Sequence, residues 1–251
     1  MAGQQARARL DDPGRADELR RRIQGKAALR RLYREVYGRY ADCLARCPAA
    51  GLAVELGSGG GFVQDVLPQV TTSDVLPYAG VDRVVDATRM PFADGSLRAL
   101  FLLNVFHHIA DAPAFLREAE RCLCAGGRAL IVDQYPGWIG GPVYRWLHGE
   151  PFDAKAADWR FPTTGPLSGA NGALAWIVFE RDRARLLREH PHLRLDGFRR
   201  HTPLRYWLAG GLKRWRLLPG ALFGLATALD AALIRLSPRF ASFVDVELVR
   251  V

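Results

Sequence analysis

The sequence predicts an α/β domain with a doubly wound, mostly parallel sheet, and two features carry this prediction. A short apolar run, Leu52–Leu56, is followed at once by the glycine cluster "GSGGG" at 57–61. A second apolar run, "VTTSDV", ends near Asp74, nineteen positions after Glu55. Strand, glycine turn, helix, strand and acidic strand end form the nucleoside-binding half of such a fold. The glycines let the backbone approach the ligand, and the second acid accepts hydrogen bonds from ribose hydroxyls.

The elements around the second strand are less regular. The segment "FVQDVLPQ" (62–69) predicts about two turns of helix that end at Pro68. Only six residues then separate Asp74 from the next strand-like run, "VDRVVD" (81–86), which is too few for the usual helical crossover. Either the third strand is short and irregular, or the loop 75–80 covers the ligand directly. The side chains considered for that contact are Val75, Leu76 and Tyr78.

The glycine spacing distinguishes between cofactors. A dinucleotide fingerprint has the spacing G-x-G-x-x-G, whereas Gly57, Gly59 and Gly61 give G-x-G-x-G with Glu55 two positions earlier. With this motif the chain resembles the class I S-adenosylmethionine-dependent methyltransferases. The resemblance is to the type 11 methyltransferase domain related to ubiquinone and menaquinone C-methyltransferases. Their first motif, E/D-x-G-x-G-x-G, is matched by "ELGSGGG" without a gap.

Further segments resemble the same family in the same order. "DATRMPFADGS" (86–96) is similar to its D-a-x-x-l-P-F-x-d-x-S segment. Residues 97–133 are similar to its fourth strand, the following loop and helix, a G-G turn and its fifth strand. "FERDRARLLREH" (179–190) predicts an exposed helix, and 193–201 with 240–251 predict a final antiparallel pair of strands. The resemblance is strong over 52–134 and loose elsewhere.

The resemblance implies a Rossmann-like class I methyltransferase sheet with an antiparallel final strand. We expect a basic helical cap over 1–48 and a methyltransferase domain over 49–251, with an acceptor-site insert at 136–192. Tyr33 and Tyr37 of the cap are candidates for ligand contact. The apolar stripe predicted for the cap helices comprises Leu19, Ile23, Leu29, Leu32, Val36 and Tyr40. The insert carries Trp138, Tyr144, Trp146, Phe152, Trp159 and Phe161, and such loop-rich inserts build specificity in this fold.

The resemblance also implies S-adenosyl-L-methionine as cofactor. Glu55 is expected to order the glycine loop near the aminopropyl ammonium, Asp74 to bind the ribose diol and Asp86 to accept from the adenine amino group. Asp86 has a structural alternative as the cap of a turn, and Asn104 could instead satisfy local backbone groups. The expected cofactor-binding residues are Glu55, Gly57, Ser58, Gly59, Gly61, Asp74, Val75, Asp86, Ala87 and Asn104.

The candidates for catalysis are His107 and His108, which follow the fourth strand, where substrate enters this fold. A histidine suits general base catalysis at neutral pH, and a structural role is the alternative. Glu118 and Arg121 are expected to form a structural helix pair. No metal site is expected, because Cys43, Cys47, Cys122 and Cys124 lack C-x2-C spacing. They are predicted to be buried free thiols, which indicates a reducing, cytoplasmic compartment.

The charge distribution bears on the partner. Residues 51–134 carry 6 basic and 10 acidic side chains, while both flanks are basic. A uniformly basic nucleic-acid binder would differ, and no N-P-P-Y-type motif is present, so nucleic acid is not favoured. The predicted function is methyl transfer to a small or amphipathic acceptor, which includes lipid-linked ones. The alternative is a non-catalytic methyltransferase-like protein that binds a nucleoside or a partner chain.

The segment 212–240 suggests a further contact. Its apolar run, 217–229, is too short to span a bilayer, and the arginine-rich first thirty residues do not predict a signal peptide. Pro219 is expected to be the first residue of a helix that is apolar nearly all round. Arginine and tryptophan flanks suit the surface of an anionic membrane, here its inner face. Packing against the sheet and a homodimer interface are the alternatives.

Overall fold

A seven-stranded sheet organises the computed structural model, which describes residues 14–165 and 167–251. The strands lie in the order β3-β2-β1-β4-β5-β7-β6. The first five are parallel, and β7 runs antiparallel to both of its neighbours. This confirms the predicted class I methyltransferase sheet with an antiparallel final strand. The strands are β1 (Leu52–Leu56), β2 (Val70–Asp74), β3 (Arg83–Val84), β4 (Leu97–Leu103), β5 (Leu123–Gln134), β6 (Leu193–His201) and β7 (Phe243–Arg250).

The inner strands are buried on both faces, as their continuous apolar sequences require. In β1 every residue after Leu52 is buried, and in β4 only Arg98 and Leu103 are partly accessible. The chain proceeds outward from β1 to β3 on one side and from β4 to β5 on the other. A crevice therefore opens between the carboxyl ends of β1 and β4, where this class of sheet binds its ligands.

Helices pack on both sides of the sheet. Two of them precede β1 and meet at Lys26, whose ammonium donates to the carbonyls of Gly211 and Trp215, at 2.9 Å each. The predicted apolar stripe is buried along these helices except at Leu19, which is half-buried. The helices are α1 (Arg15–Gly25), α2 (Ala27–Leu44), α3 (Ala112–Cys122), α4 (Gly140–Trp146), α5 (Leu174–Trp176), α6 (Arg183–Glu189), α7 (Arg205–Leu208) and α8 (Phe223–Leu236). A π-helical turn, Ile177–Arg181, continues α5.

The chain on either side of β2 differs from one prediction and agrees with another. The two-turn helix predicted for 62–69 is wrong, since only a 3-10 turn, Val63–Asp65, forms there. Pro68 disfavours a helical conformation in the residue before it, and the segment is too short to continue. The prediction of a short third strand is confirmed, because β3 has two residues.

The helix expected from Pro219 also begins later than predicted. Gly220–Leu222 form a 3-10 turn, and α8 starts at Phe223. The expected G-G turn before the fifth strand lies within β5 as a bulge, where Leu97 pairs with Leu123 but Ala99 already pairs with Arg128.

The remaining fold-level predictions concern cysteines and membrane spans. All four cysteines are free, as predicted, but only Cys43 and Cys122 are buried, while Cys47 and Cys124 remain partly accessible. Across 14–165 and 167–251, no helix combines the length and the apolar character that crossing a bilayer would need.

Candidate active site

A cavity of about 460 Å³ opens at the carboxyl ends of β1, β2, β4 and β5. All ten expected cofactor-binding residues and both candidate histidines line it. The cavity has two ends, which we call the loop end, around the glycine loop 55–61, and the cluster end, around His107, His108 and Glu150. Placing these residues together does not test their roles, which stay predictions.

The glycine loop needs glycine at several positions. Gly57 and Gly59 have φ values of +68° and +44°, in the left-handed region that favours glycine. A side chain at Gly61 would come within 2.8 Å of the Ser58 carbonyl oxygen, and one at Gly60 within 2.6 Å of the Arg20 backbone nitrogen in α1. The loop is therefore closely folded and pressed against the first helix.

Glu55 lies beneath this loop with 2% of its surface exposed. Its backbone carbonyl accepts a hydrogen bond of 2.8 Å from the Ser73 hydroxyl. Its side-chain atom Oε2 is buried and has no hydrogen-bond partner. Burial raises the pKa of Glu55 to about 8, although the Ser58 and Tyr40 hydroxyls beside the carboxyl group oppose the shift. The loop end thus contains a buried carboxyl group that a cationic ligand could satisfy.

Asp74 at the end of β2 holds the loop in place. Its Oδ2 accepts from the Gly59 N–H at 3.0 Å and its Oδ1 from the Leu76 N–H at 3.3 Å. Burial raises the pKa of this carboxyl group. Val75 and Tyr78 also line the cavity.

Asp86 and Asn104 both line the cavity, and Asp86 also shows the turn cap that was considered as its alternative. Asp86 is exposed, and its Oδ1 accepts from the Thr88 N–H at 2.8 Å and hydroxyl at 2.7 Å, which caps a turn. Asn104 has a φ of +56° and donates its N–H to Val132. Its side-chain oxygen is buried without a hydrogen-bond partner.

The cluster end is held by side chains from distant parts of the chain. His107 Nδ1 lies 2.6 Å from Asp133 Oδ1, and His108 Nδ1 lies 3.1 Å from the Gly169 carbonyl oxygen. On the opposite sides of the rings, the Nε2 atoms of His107 and His108 lie 3.4 Å and 4.0 Å from the carboxylate of Glu150. Both histidines are therefore oriented toward Glu150.

These contacts shift the pKa values in opposite directions. Burial alone would lower the pKa of His107, but the charge and hydrogen bond of Asp133, with Glu150, raise it to about 10. Burial and the charge of His107 lower the pKa of His108 to about 4. For Glu150, burial is outweighed by His107, which lowers the pKa of the carboxyl group below its usual range.

Sequence reasoning missed three residues of the cluster end: Asp133, Gln134 and Glu150. Asp133 and Gln134 end β5, next to the strand that leads to the histidines, and a general rule about strand ends could have identified them. Glu150 follows α4 in the insert, where no motif marks it.

The aromatic residues of the insert divide between cavity, core and surface. Tyr144 lines the cavity, Trp159 is fully buried in the core, and Trp138 and Trp146 are exposed. Of the cap residues considered, Tyr33 and Tyr37 both line the cavity.

Glu118 and Arg121 pair as predicted. Arg121 Nε donates to Glu118 at 2.9 Å, and the same guanidinium donates to the carbonyls of Met90 and Phe92. Together they fix the chain that follows Asp86.

Comparison with known proteins agrees with this geometry. Residues 54–131 match a family described as "Methyltransferase domain". The ubiquinone/menaquinone biosynthesis C-methyltransferase UbiE of Desulfotalea psychrophila is 30% identical over 116 residues, which cover 39% of this chain and 47% of the relative. The match therefore spans about half the length of that curated relative.

Two solved structures share the fold. Geranyl diphosphate C-methyltransferase from Streptomyces coelicolor A3(2) is 17% identical with a TM-score of 0.51, covering 89% of this chain and 81% of the other. A Haloferax volcanii methyltransferase, solved with its Trm112 activator, is 14% identical with a TM-score of 0.52, covering 93% and 97%. At these identities the likeness concerns the fold alone. The match of residues 54–131 to the methyltransferase-domain family confirms the recognition made from the glycine motif, and S-adenosyl-L-methionine is the cofactor of that family.

Proposed function

We propose that this chain transfers the methyl group of S-adenosyl-L-methionine to a small or amphipathic acceptor. The observation that carries the proposal is that one cavity joins the glycine loop to the polar cluster formed by His107, His108 and Glu150. A ligand held at the loop end and a second molecule held at the cluster end would meet inside it. Positioning two reactants in this way accounts for much of the catalysis of a displacement reaction.

The loop end fits the proposed cofactor. The buried oxygens Glu55 Oε2 and Asn104 Oδ1 have no partners, and the ammonium group of the cofactor could donate to them. Asp74 keeps lone pairs beyond its bonds to Gly59 and Leu76, which ribose hydroxyls could use. We assign the adenine amino group to Asp86, beside Ala87, in accordance with the family resemblance.

When bound, the cofactor supplies an electrophilic methyl group on a sulfonium centre. The residues of this chain would then position the acceptor and keep water out. Tyr33 and Tyr37 cover the loop end from α2, and Leu19 and Ile23 line the cavity from α1. Of the two histidines, His108 is the neutral one at pH 7 and could receive a proton from an oxygen or nitrogen acceptor, whereas His107 already carries its second proton.

The lining of the cavity favours an acceptor with both apolar and polar parts. Tyr144, Tyr206 and Phe243 contribute aromatic surface near the histidines and Glu150. An acceptor with a polar head and an apolar body would match this combination. The name of the curated relative, a C-methyltransferase of ubiquinone and menaquinone biosynthesis, supports the same class.

The outer side of α8 supports an amphipathic acceptor in another way. Asp230 of α8 is buried and pairs with Arg205 at 2.9 Å, and Arg205 also reaches Glu35 of α2 at 3.0 Å. Leu225, Leu229 and Leu236 lie on the exposed side of the helix. We call this face, with the segment before it, the α8 surface. Its exposed large side chains are Trp215, Leu217, Leu222, Leu225, Leu229 and Leu236.

We propose that the α8 surface rests on an anionic membrane. A group of exposed apolar side chains on one helix and the segment before it suits an interaction site, and the cations beside it favour an anionic partner. The exposed basic residues are Lys213, Arg214, Arg216, Arg235 and Arg239. The α8 surface adjoins the cavity, because Leu212, which directly precedes Lys213, lines the cavity. Arg22 of α1 holds this point of the chain by donating to the carbonyl of Leu212. An acceptor that partitions into the bilayer could enter from there.

The central test combines binding and turnover. Purified protein is incubated with cofactor labelled in the methyl group and with metabolite and lipid extracts, and both label transfer and release of S-adenosyl-L-homocysteine are measured. Cofactor binding with transfer to an amphipathic molecule is expected. Tight binding without transfer to any fraction would favour the non-catalytic alternative, and absence of cofactor binding would refute the proposal.

A further inference from the structure

The cluster end has the geometry of a metal site, and we infer that His107, His108 and Glu150 bind one divalent transition-metal ion. Within the described part of the chain these three side chains form a group whose potential ligand atoms all lie within 4.8 Å of one another. Binding of the ion does not depend on the proposed function, whereas its contact with the acceptor does.

The two imidazole rings are oriented as in metal-binding histidines. Metal-binding histidines almost always donate their second ring N–H to a carboxylate or a backbone carbonyl. His107 Nδ1 is held at 2.6 Å by Asp133, and His108 Nδ1 at 3.1 Å by the carbonyl of Gly169. Each contact places a proton on Nδ1, so a metal ion would bind at Nε2; at His107, whose pKa is raised, the ion would displace the Nε2 proton. Both Nε2 atoms are thereby prepared as ligands on the side of the rings that faces Glu150.

The distances between the histidine nitrogens and the Glu150 carboxylate also fit a metal site. The Nε2 atoms of His107 and His108 lie 3.4 Å and 4.0 Å from the nearest oxygens of Glu150. Two atoms that each lie about 2.1 Å from a tetrahedral ion are about 3.4 Å apart. The separations are therefore close to those of a coordinated set and longer than a charge-assisted hydrogen bond, which measures about 2.8 Å.

The negative charge around His107 also favours a bound cation. His107 lies between two carboxylates, the fully buried Asp133 and the partly buried Glu150. The amide nitrogen of Gln134 lies 3.3 Å from both His107 Nε2 and Glu150 Oε2, so Gln134 borders the same space between the two groups. A metal cation bound at His107 Nε2 would offset the negative charges of Asp133 and Glu150. Two imidazoles with one carboxylate suit first-row transition metals rather than magnesium or calcium.

The bound ion would keep an open coordination position that the acceptor could fill. Three protein ligands leave at least one coordination position open, as in catalytic metal sites, and the cluster faces the same cavity as the glycine loop. A hydroxyl or carbonyl oxygen of the acceptor could occupy that position. Acceptors with an oxygen next to the methylated atom are therefore the substrate class that this site would select.

The test measures metal binding directly. Tag-free protein is dialysed against a chelator and titrated with Co²⁺, which is followed by visible absorption and calorimetry. One ion per chain is expected, with the absorption bands of protein-bound Co²⁺. Asp133→Asn, which removes the acceptor behind His107, should weaken binding ~10–100-fold, and His108→Ala or Glu150→Gln should weaken it at least as much.

The control is His190→Gln. His190 is also buried and also faces a carboxylate, with Nδ1 3.4 Å from Glu120, but it does not line the cavity. It should bind Co²⁺ like the unchanged protein. Absence of saturable Co²⁺ binding, or equal binding by all variants, would overturn the inference. Calorimetry with S-adenosyl-L-homocysteine on the metal-free protein is run in parallel, because loss of that binding would refute the proposed function instead.

Discussion

The loop end of the cavity is built mainly from backbone, whereas the cluster end is built from side chains. At the loop end the glycines 57–61 bring main-chain atoms to the surface, and two buried oxygens, Glu55 Oε2 and Asn104 Oδ1, have no partners. At the cluster end, Asp133, Gly169 and Gln134 already hold His107 and His108. The loop end therefore depends on a ligand to complete it, while the cluster end is organised before a ligand arrives.

This difference implies different responses to change. A backbone cradle is sensitive to any added side chain, because atoms of the main chain cannot move aside easily. A cluster of side chains is sensitive to the loss of one chemical group. Substitutions at either end should consequently separate cofactor binding from the properties of the cluster.

The largest effect is expected at Gly59. Gly59→Val places a β-branched residue at a φ of +44° and directs bulk toward Asp74, so cofactor affinity should fall by ~100-fold or more in calorimetry. Gly95→Val is the matched control, because Gly95 also has a positive φ, +64°, but does not line the cavity. Unchanged affinity in Gly59→Val would show that the loop does not bind the cofactor.

A smaller effect is expected from the titration of Glu55. Because burial raises the pKa of this carboxyl group to about 8 in the ligand-free protein, an ammonium ligand must displace a proton below that pH. Affinity for S-adenosyl-L-homocysteine should therefore increase from pH 6 to about 8, by at most ~10-fold per pH unit.

Calorimetry in buffers of different ionisation enthalpy would detect the released proton. Glu55→Gln should bind more weakly and with little dependence on pH. Asp65→Asn, which changes an exposed acid beyond the loop, should keep the dependence of the unchanged protein. A flat pH profile in the unchanged protein would mean that Glu55 does not face the ammonium group.

The smallest effect concerns the α8 surface and leaves both ends of the cavity intact. Arg214→Glu with Arg216→Glu should weaken co-sedimentation with anionic liposomes by ~5-fold for each charge, since a basic residue near the membrane contributes ~1 kcal/mol. Binding should also weaken as salt rises from low to moderate concentration.

The control variant changes the net charge by the same amount, but on α6 instead of the α8 surface. Arg183→Glu with Arg188→Glu alters two exposed arginines of α6 and should leave liposome binding nearly unchanged. If the unchanged protein sediments with neither anionic nor neutral vesicles, then the α8 surface meets another protein or a second copy of this chain.

The sequence was informative where chemistry is local. The glycine loop, β2 with Asp74, and the segment after β4 each lie within a few residues, so their motifs, with the family resemblance, predicted which residues would line one cavity. The helix predicted for 62–69 failed because apolar periodicity over so few residues does not determine whether a turn continues as a helix.

The direction of the leucines in α8 could not be predicted either. The sequence indicates a helix that is apolar nearly all round, with Asp230 as an isolated polar residue. Only the fold brings Arg205 and Glu35 to that carboxylate, and this network determines which side of the helix faces inward. The outward leucines follow from the buried ion pairs.

The sequence by itself indicated the class of sheet, the glycine loop and, through the family resemblance, the type of cofactor, because the motifs behind them lie within short stretches of the chain. Only the tertiary structure brought Glu150 of the insert to His107 and His108, and Asp133 to the other side of the ring of His107. These contacts join segments that no motif connects, since the parallel pairing of β4 with β5 and the packing of the insert set their distances. The chemistry at the cluster end is therefore a property of the fold.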